Sequence, residues 1–76
     1  MAPARKREGL SQVVGRNVKR LREARSMTQV ELAARAEVDQ SSVSAIESGS
    51  KGPSMMMVAA LARALGVESV QLFREK

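Results

Sequence analysis

Two segments with strong helix-start signals stand almost back to back near the middle of the chain. Thr28 with Glu31 three residues on forms a capping box, opening a helix whose inward face is Leu32, Ala33 and Ala36. Asp39 can cap the next helix, which turns Val43 and Ile46 inward and stops at Gly49. Only Glu37, Val38 and the cap Asp39 separate them. So short a link cannot return the chain antiparallel; it forces a steep crossing. Val38 is apolar and is placed to plug the junction.

A steep crossing over a three-residue turn is the geometry of a helix-turn-helix. The rest of the chain is also helical in pattern, and no segment alternates apolar and polar residues long enough for a strand. Ser11 can cap a first helix carrying Leu10, Val14, Val18 and Leu21. Ser54 can cap a fourth, with Met55, Val58, Leu61, Ala62 and Leu65 inward and Gly66 at its end. Residues 69–73 suit a last short helix bearing Val70, Leu72 and Phe73. The expected fold is all-α: five helices in one domain over residues 11–76, preceded by a flexible basic arm over residues 1–10. With one Phe and no Trp or Tyr, the core of this 76-residue chain must be aliphatic.

Composition narrows the chemistry. There is no Cys, so disulfides, thiolate metal sites and cysteine nucleophiles are excluded, and no His, which removes the commonest general base and metal ligand. No nucleophile–base pair stands out among the remaining residues, and the expectation is not an enzyme, with no cofactor and no metal. No apolar run approaches a membrane span, and the start of the chain lacks a secretory pattern, which points to a soluble cytoplasmic protein. The net charge of +5 is uneven. Residues 1–25 hold eight basic and two acidic side chains, and the remainder five and six. Such polarity suits a polyanion such as nucleic acid, and equally a solvated surface.

The third helix, residues 40–48, is unusual. Opposite Val43 and Ile46 it carries Gln40, Ser41, Ser44, Ala45 and Ser48, a small and uncharged face. Serine is a mediocre helix former, and a face built for stability would favour Ala, Glu, Lys or Arg. Small side chains instead allow close approach to another surface.

The stretch TQVELAARAEVDQSSVSAIESG, followed by Pro53-Ser54 and LARALGV, resembles the helix-turn-helix domain of lambda-type repressors, Cro and Xre-like regulators, restriction–modification controller proteins included. The resemblance covers roughly residues 11–73. Two positions depart from the family pattern: Glu37 stands where a glycine is usual, and Met56 and Met57 where polar residues are usual.

The resemblance implies that helices 2 and 3 form the helix-turn-helix and that residues 40–48 are the recognition helix, lying in the major groove of double-stranded DNA. Gln40 can pair bidentately with adenine, Ser41 and Ser44 can hydrogen-bond base edges, and Ala45 offers a methyl surface to thymine. Gln29, at the start of the second helix, matches a family glutamine that binds phosphate and can buttress Gln40. Ser42, Ser50 and Lys51 are further backbone-contact candidates, as are Arg5, Lys6 and Arg7 in the arm. Arg22 and Glu47 match a structural ion pair linking helices 1 and 3.

One helix in one groove makes too small an interface for selectivity, so a homodimer on a palindromic operator is expected. The dimer or partner surface is placed at Met56, Met57, Val67, Val70, Leu72 and Phe73. The function implied is a transcriptional regulator, a repressor or autoregulator. The alternative is an antitoxin or adaptor of the same fold whose main business is a protein partner.

Overall fold

Local side-chain chemistry decides where most helices begin. The structure, a computed structural model, describes residues 9–75. It contains four α-helices, α1 (Leu10–Ala24), α2 (Gln29–Ala36), α3 (Gln40–Glu47) and α4 (Met55–Leu65), and a closing 3-10 helix (Ser69–Phe73), with no strand among the described residues. The Thr28 hydroxyl accepts the Glu31 N–H at 3.0 Å, and the Glu31 carboxylate accepts the Thr28 N–H at 2.8 Å. The Ser54 hydroxyl accepts the Met57 N–H at 3.1 Å. Asp39 occupies the cap of α3 but makes no side-chain capping bond.

Two expectations are corrected at this level. The first helix is capped at Gly9 rather than Ser11, where the Gln12 side chain reaches back and accepts the Gly9 N–H at 2.9 Å. The two added residues draw in Leu10, which was expected inward but stays 62% exposed, while Val13 is buried with Val14 and Val18. The fifth helix is a five-residue 3-10 segment rather than an α-helix, a form common in short terminal pieces. Residues 1–8 of the expected arm, with Arg5, Lys6 and Arg7, lie outside the described residues.

Between α2 and α3, Glu37 adopts the left-handed conformation (φ 60°, ψ 45°), which glycine takes most easily. The Val38 N–H then closes on the Ala33 carbonyl at 2.9 Å, and the Val38 side chain packs against the core. The turn keeps its shape with a glutamate, at the cost of an unfavourable backbone well.

Val14, Val18, Leu32, Val43, Ile46, Val58, Leu61, Leu65 and Leu72 form the aliphatic core. Helix α1 packs on α3 and on the 3-10 helix, and α2 packs on α3 and α4. Two polar or small residues fix these crossings. A Cβ built on Gly15 would lie 2.1 Å from the Ile46 carbonyl oxygen, so only glycine lets α1 approach the end of α3 this closely. Buried Asn17 donates from Nδ2 to the Leu72 carbonyl at 2.9 Å and to the Arg74 carbonyl at 2.6 Å, clamping the end of the chain onto α1.

Candidate nucleic-acid interface

Helix α3 is held on its inner side by Val43 and Ile46, both fully buried. Its outer side is therefore set by the helical repeat. Gln40, Ser41 and Ser44 are exposed, and Ser42 and Ala45 are half-buried. No acidic or basic side chain interrupts this face between Gln40 and Ile46. The helix ends at Glu47 with Ser48 as its C-cap, one residue short of the expected span, and Gly49 turns the chain at φ 79°. The Ser48 and Ser50 hydroxyls both donate to the Ala45 carbonyl, at 3.0 and 3.2 Å, and lie 3.0 Å from each other. These bonds shape the tight exit from α3 that leads to exposed Lys51.

A chain of side-chain hydrogen bonds runs beside α3. Arg22, near the end of α1, donates from Nε and Nη2 to the two Glu47 carboxylate oxygens at 2.6 and 3.0 Å. Its Nη1 donates to the Met27 carbonyl at 2.7 Å, so the guanidinium is anchored on both sides. Gln29, the first residue of α2, donates from Nε2 to Glu47 Oε1 at 2.9 Å. Gln29 Oε1 in turn accepts from Gln40 Nε2 at 3.2 Å. The side-chain hydrogen bond to Glu47 holds the Arg22 guanidinium above its ordinary pKa, burial opposes this, and the Glu47 charge adds to the rise.

Beside this chain lies a polar cleft of about 410 Å³, lined by Lys19, Arg22, Glu23, Gln29, Ser44, Glu47 and Ser48. Lys19 was not singled out in the sequence. Its place three residues before Arg22, on the same helical face, was the available signal. Backbone N–H groups at the start of α2, next to Gln29, have the geometry that favours an anion such as phosphate.

Of the residues expected at the dimer or partner surface, Met56 and Met57 line one groove and Phe73 another. Leu72 is fully buried, because the Asn17 clamp draws the 3-10 helix onto α1, and it offers no surface. Met57 is half-buried against the core, whereas Met55, expected inside, is 76% exposed. Met56 is 84% exposed and lines a groove with Met57, Val38, Ala60 and Arg63. Phe73 lines a different, more apolar groove with Leu10, Met55 and Pro53. Val70 is exposed and Val67 half-buried. Among the described residues no helix is long and apolar enough to cross a membrane.

Comparison with known proteins places this geometry. A model of the helix-turn-helix family HTH_3 matches residues 18–72. An uncharacterized HTH-type transcriptional regulator of Sinorhizobium fredii, y4dJ, is 38% identical over 63 residues, covering 83% of this chain and 82% of that protein. The restriction–modification controller protein C.AhdI from Aeromonas hydrophila has a similar crystal structure, with a TM-score of 0.80 and 32% identity over 83% of this chain and 96% of that one. A hypothetical transcription factor from Neisseria superposes with a TM-score of 0.84 at 29% identity, over 97% of this chain and 87% of that one. The controller protein C.Esp1396I, solved as a tetramer with its natural 35 base-pair operator, gives 0.79 at 27% identity, with 88% of each chain covered.

Proposed function

The chain belongs to the helix-turn-helix family of DNA-binding transcriptional regulators, and from that membership we propose that it represses transcription by binding a palindromic operator as a homodimer. In this reading α2 and α3 are the helix-turn-helix, and α3 enters the major groove. The observation that carries it is the uncharged outer face of α3, with Gln40, Ser41 and Ser44 exposed and the Gln40 amide held by Gln29. Such a face admits base edges closely, and a Lys or Arg there would bind phosphate on any sequence.

Gln40 reads adenine, Ser41 and Ser44 hydrogen-bond neighbouring bases, and Ala45 packs on a thymine methyl. Gln29, Ser42, Ser50 and Lys51 hold the phosphate backbone on either side of the groove. Arg5, Lys6 and Arg7, in a basic arm over residues 1–10, add phosphate contacts to those of the domain over residues 11–76. Met56, Met57, Val67, Val70 and Phe73 supply the dimer contacts. The tetramer of C.Esp1396I on its operator supports an assembly of several copies on DNA. Exposed Met56 favours a second reading, an adaptor or antitoxin whose main partner is a protein, because methionine adapts to varied surfaces.

Gln40→Ala tests the assignment. It is expected to cost about 1–3 kcal/mol on the operator and little on random duplex. Titrations of both DNAs, followed by fluorescence anisotropy, measure this. An equal loss on both would remove Gln40 from base reading.

A further inference from the structure

The turn into α3 carries a side chain that the turn itself does not need. Glu37 sits at φ 60°, a conformation glycine takes more easily. Its exposed carboxylate makes no ion pair or hydrogen bond among the described residues. It lines a groove of about 350 Å³ between the end of α2 and α4, with Val38, Met56, Met57, Ala60 and Arg63. Met56, Ala60 and Arg63 follow at spacings of four and three, and so share one stripe of α4. Arg63 is exposed and, like Glu37, has no ion pair or side-chain hydrogen bond among the described residues. Val38, Met57 and Ala60 pack against the core and give the groove an apolar floor. Met56 stands out from it, 84% exposed.

An apolar centre with one unpaired acid and one unpaired base is complementary to itself. A two-fold axis through such a surface sets each acid against the base of the other copy, so the same pair forms twice. A groove with charge of one sign would set like charges together instead. We infer that the α2–α4 groove receives a second copy of this chain: Met56 of each copy packs on the floor of the other, and Glu37 pairs with Arg63 across the axis. The inference rests on the homodimer reading above and places its axis. The apolar and charged contacts do different work. Burial of Met56 drives association, and its flexible thioether suits a shallow floor. The exchanged pairs lie at the rim, where they add little affinity but fix the register and exclude a misaligned copy. Phe73, with Leu10 and Met55, lines the other groove and takes no part.

Charge reversal tests the pairing. Glu37→Arg and Arg63→Glu are made singly, and sedimentation velocity at low salt follows the monomer–dimer equilibrium of the full chain. Each variant alone sets like charges together at both contacts, and its dissociation constant should rise by about tenfold or more. Mixed in equal amounts, the two variants should dimerise about as tightly as wild type, because arginine then meets glutamate at both contacts. That recovery also shows that each variant is folded. Met56→Ala should raise the constant by about tenfold through lost apolar burial.

A wild-type dimer that none of these substitutions weakens overturns the inference and leaves the homodimer reading on another surface. A mixture no tighter than its components also overturns it. A wild type that stays monomeric in solution does so as well. If that monomer still occupies the operator as two copies, the homodimer reading survives; if as one copy, that reading fails too.

Discussion

At the residue scale the buried pair of Arg22 and Glu47 ties α1 to α3. Their side chains are 11% and 4% exposed, and they meet at 2.6 Å. Such a pair adds modest net stability, because desolvation offsets most of the attraction, but removing one partner leaves the other charge buried and unpaired. Glu47→Ala is therefore expected to destabilise the fold by about 3–5 kcal/mol in denaturant unfolding. Arg22 is held above its ordinary pKa, so its share of the stability is fully present below the unfolded-state value and is lost only in strongly alkaline solution. Stability over the neutral range should not depend on its titration. The sequence shows which side chains share a helical face, and so which can meet. It does not show the direction of the bonds between them. The sense of the Gln29–Gln40 bond follows from the carboxylate behind Gln29, a tertiary fact.

At the element scale, helix starts were legible where the cap is local. Thr28–Glu31 and Ser54 each act within three residues of their targets. The start of α1 was not, because Gly9 has no side chain to signal a cap and its N–H is taken instead by Gln12. Three consecutive methionines carry no periodicity, and packing rather than pattern puts Met57 inward and Met55 outward. Leu72 reads as surface near the end of the chain until Asn17 pulls the 3-10 helix down. Gly15 is the clearest case of tertiary demand, since a glycine inside a helix lowers its stability unless something needs the space. Gly15→Ala should push α1 off the Ile46 carbonyl and cost about 1–3 kcal/mol, read as a lower denaturant midpoint. Glu37→Gly should act in the opposite sense. It relieves a left-handed glutamate at φ 60° and should raise stability by about 0.5–1 kcal/mol, with the denaturant slope unchanged.

For the whole molecule the charge distribution sets how binding responds to salt. The positive excess lies in the first third of the sequence, with Arg16, Lys19 and Arg20 exposed on α1. A regulator holding several phosphates loses affinity steeply as salt rises, with a slope of about −0.9 for each phosphate neutralised. Lys51, on the exit from α3, should account for one of these. Lys51→Ala is expected to weaken operator and random DNA alike and to flatten the log–log salt slope by about 1, measured by titrations at several ionic strengths. The pattern differs from that of Gln40→Ala, which should leave the slope unchanged and reduce the preference for the operator.

The central claim is that α3 reads sequence and that two copies do so together. Selection of binding sites from random duplex DNA at physiological salt, with wild type and Gln40→Ala in parallel, tests both halves. The account predicts a palindrome with half-sites about 34 Å apart, one turn of DNA, and a loss of information at one base pair per half-site in the variant. Enrichment of no sequence by wild type, or of the same palindrome unchanged by Gln40→Ala, would contradict it.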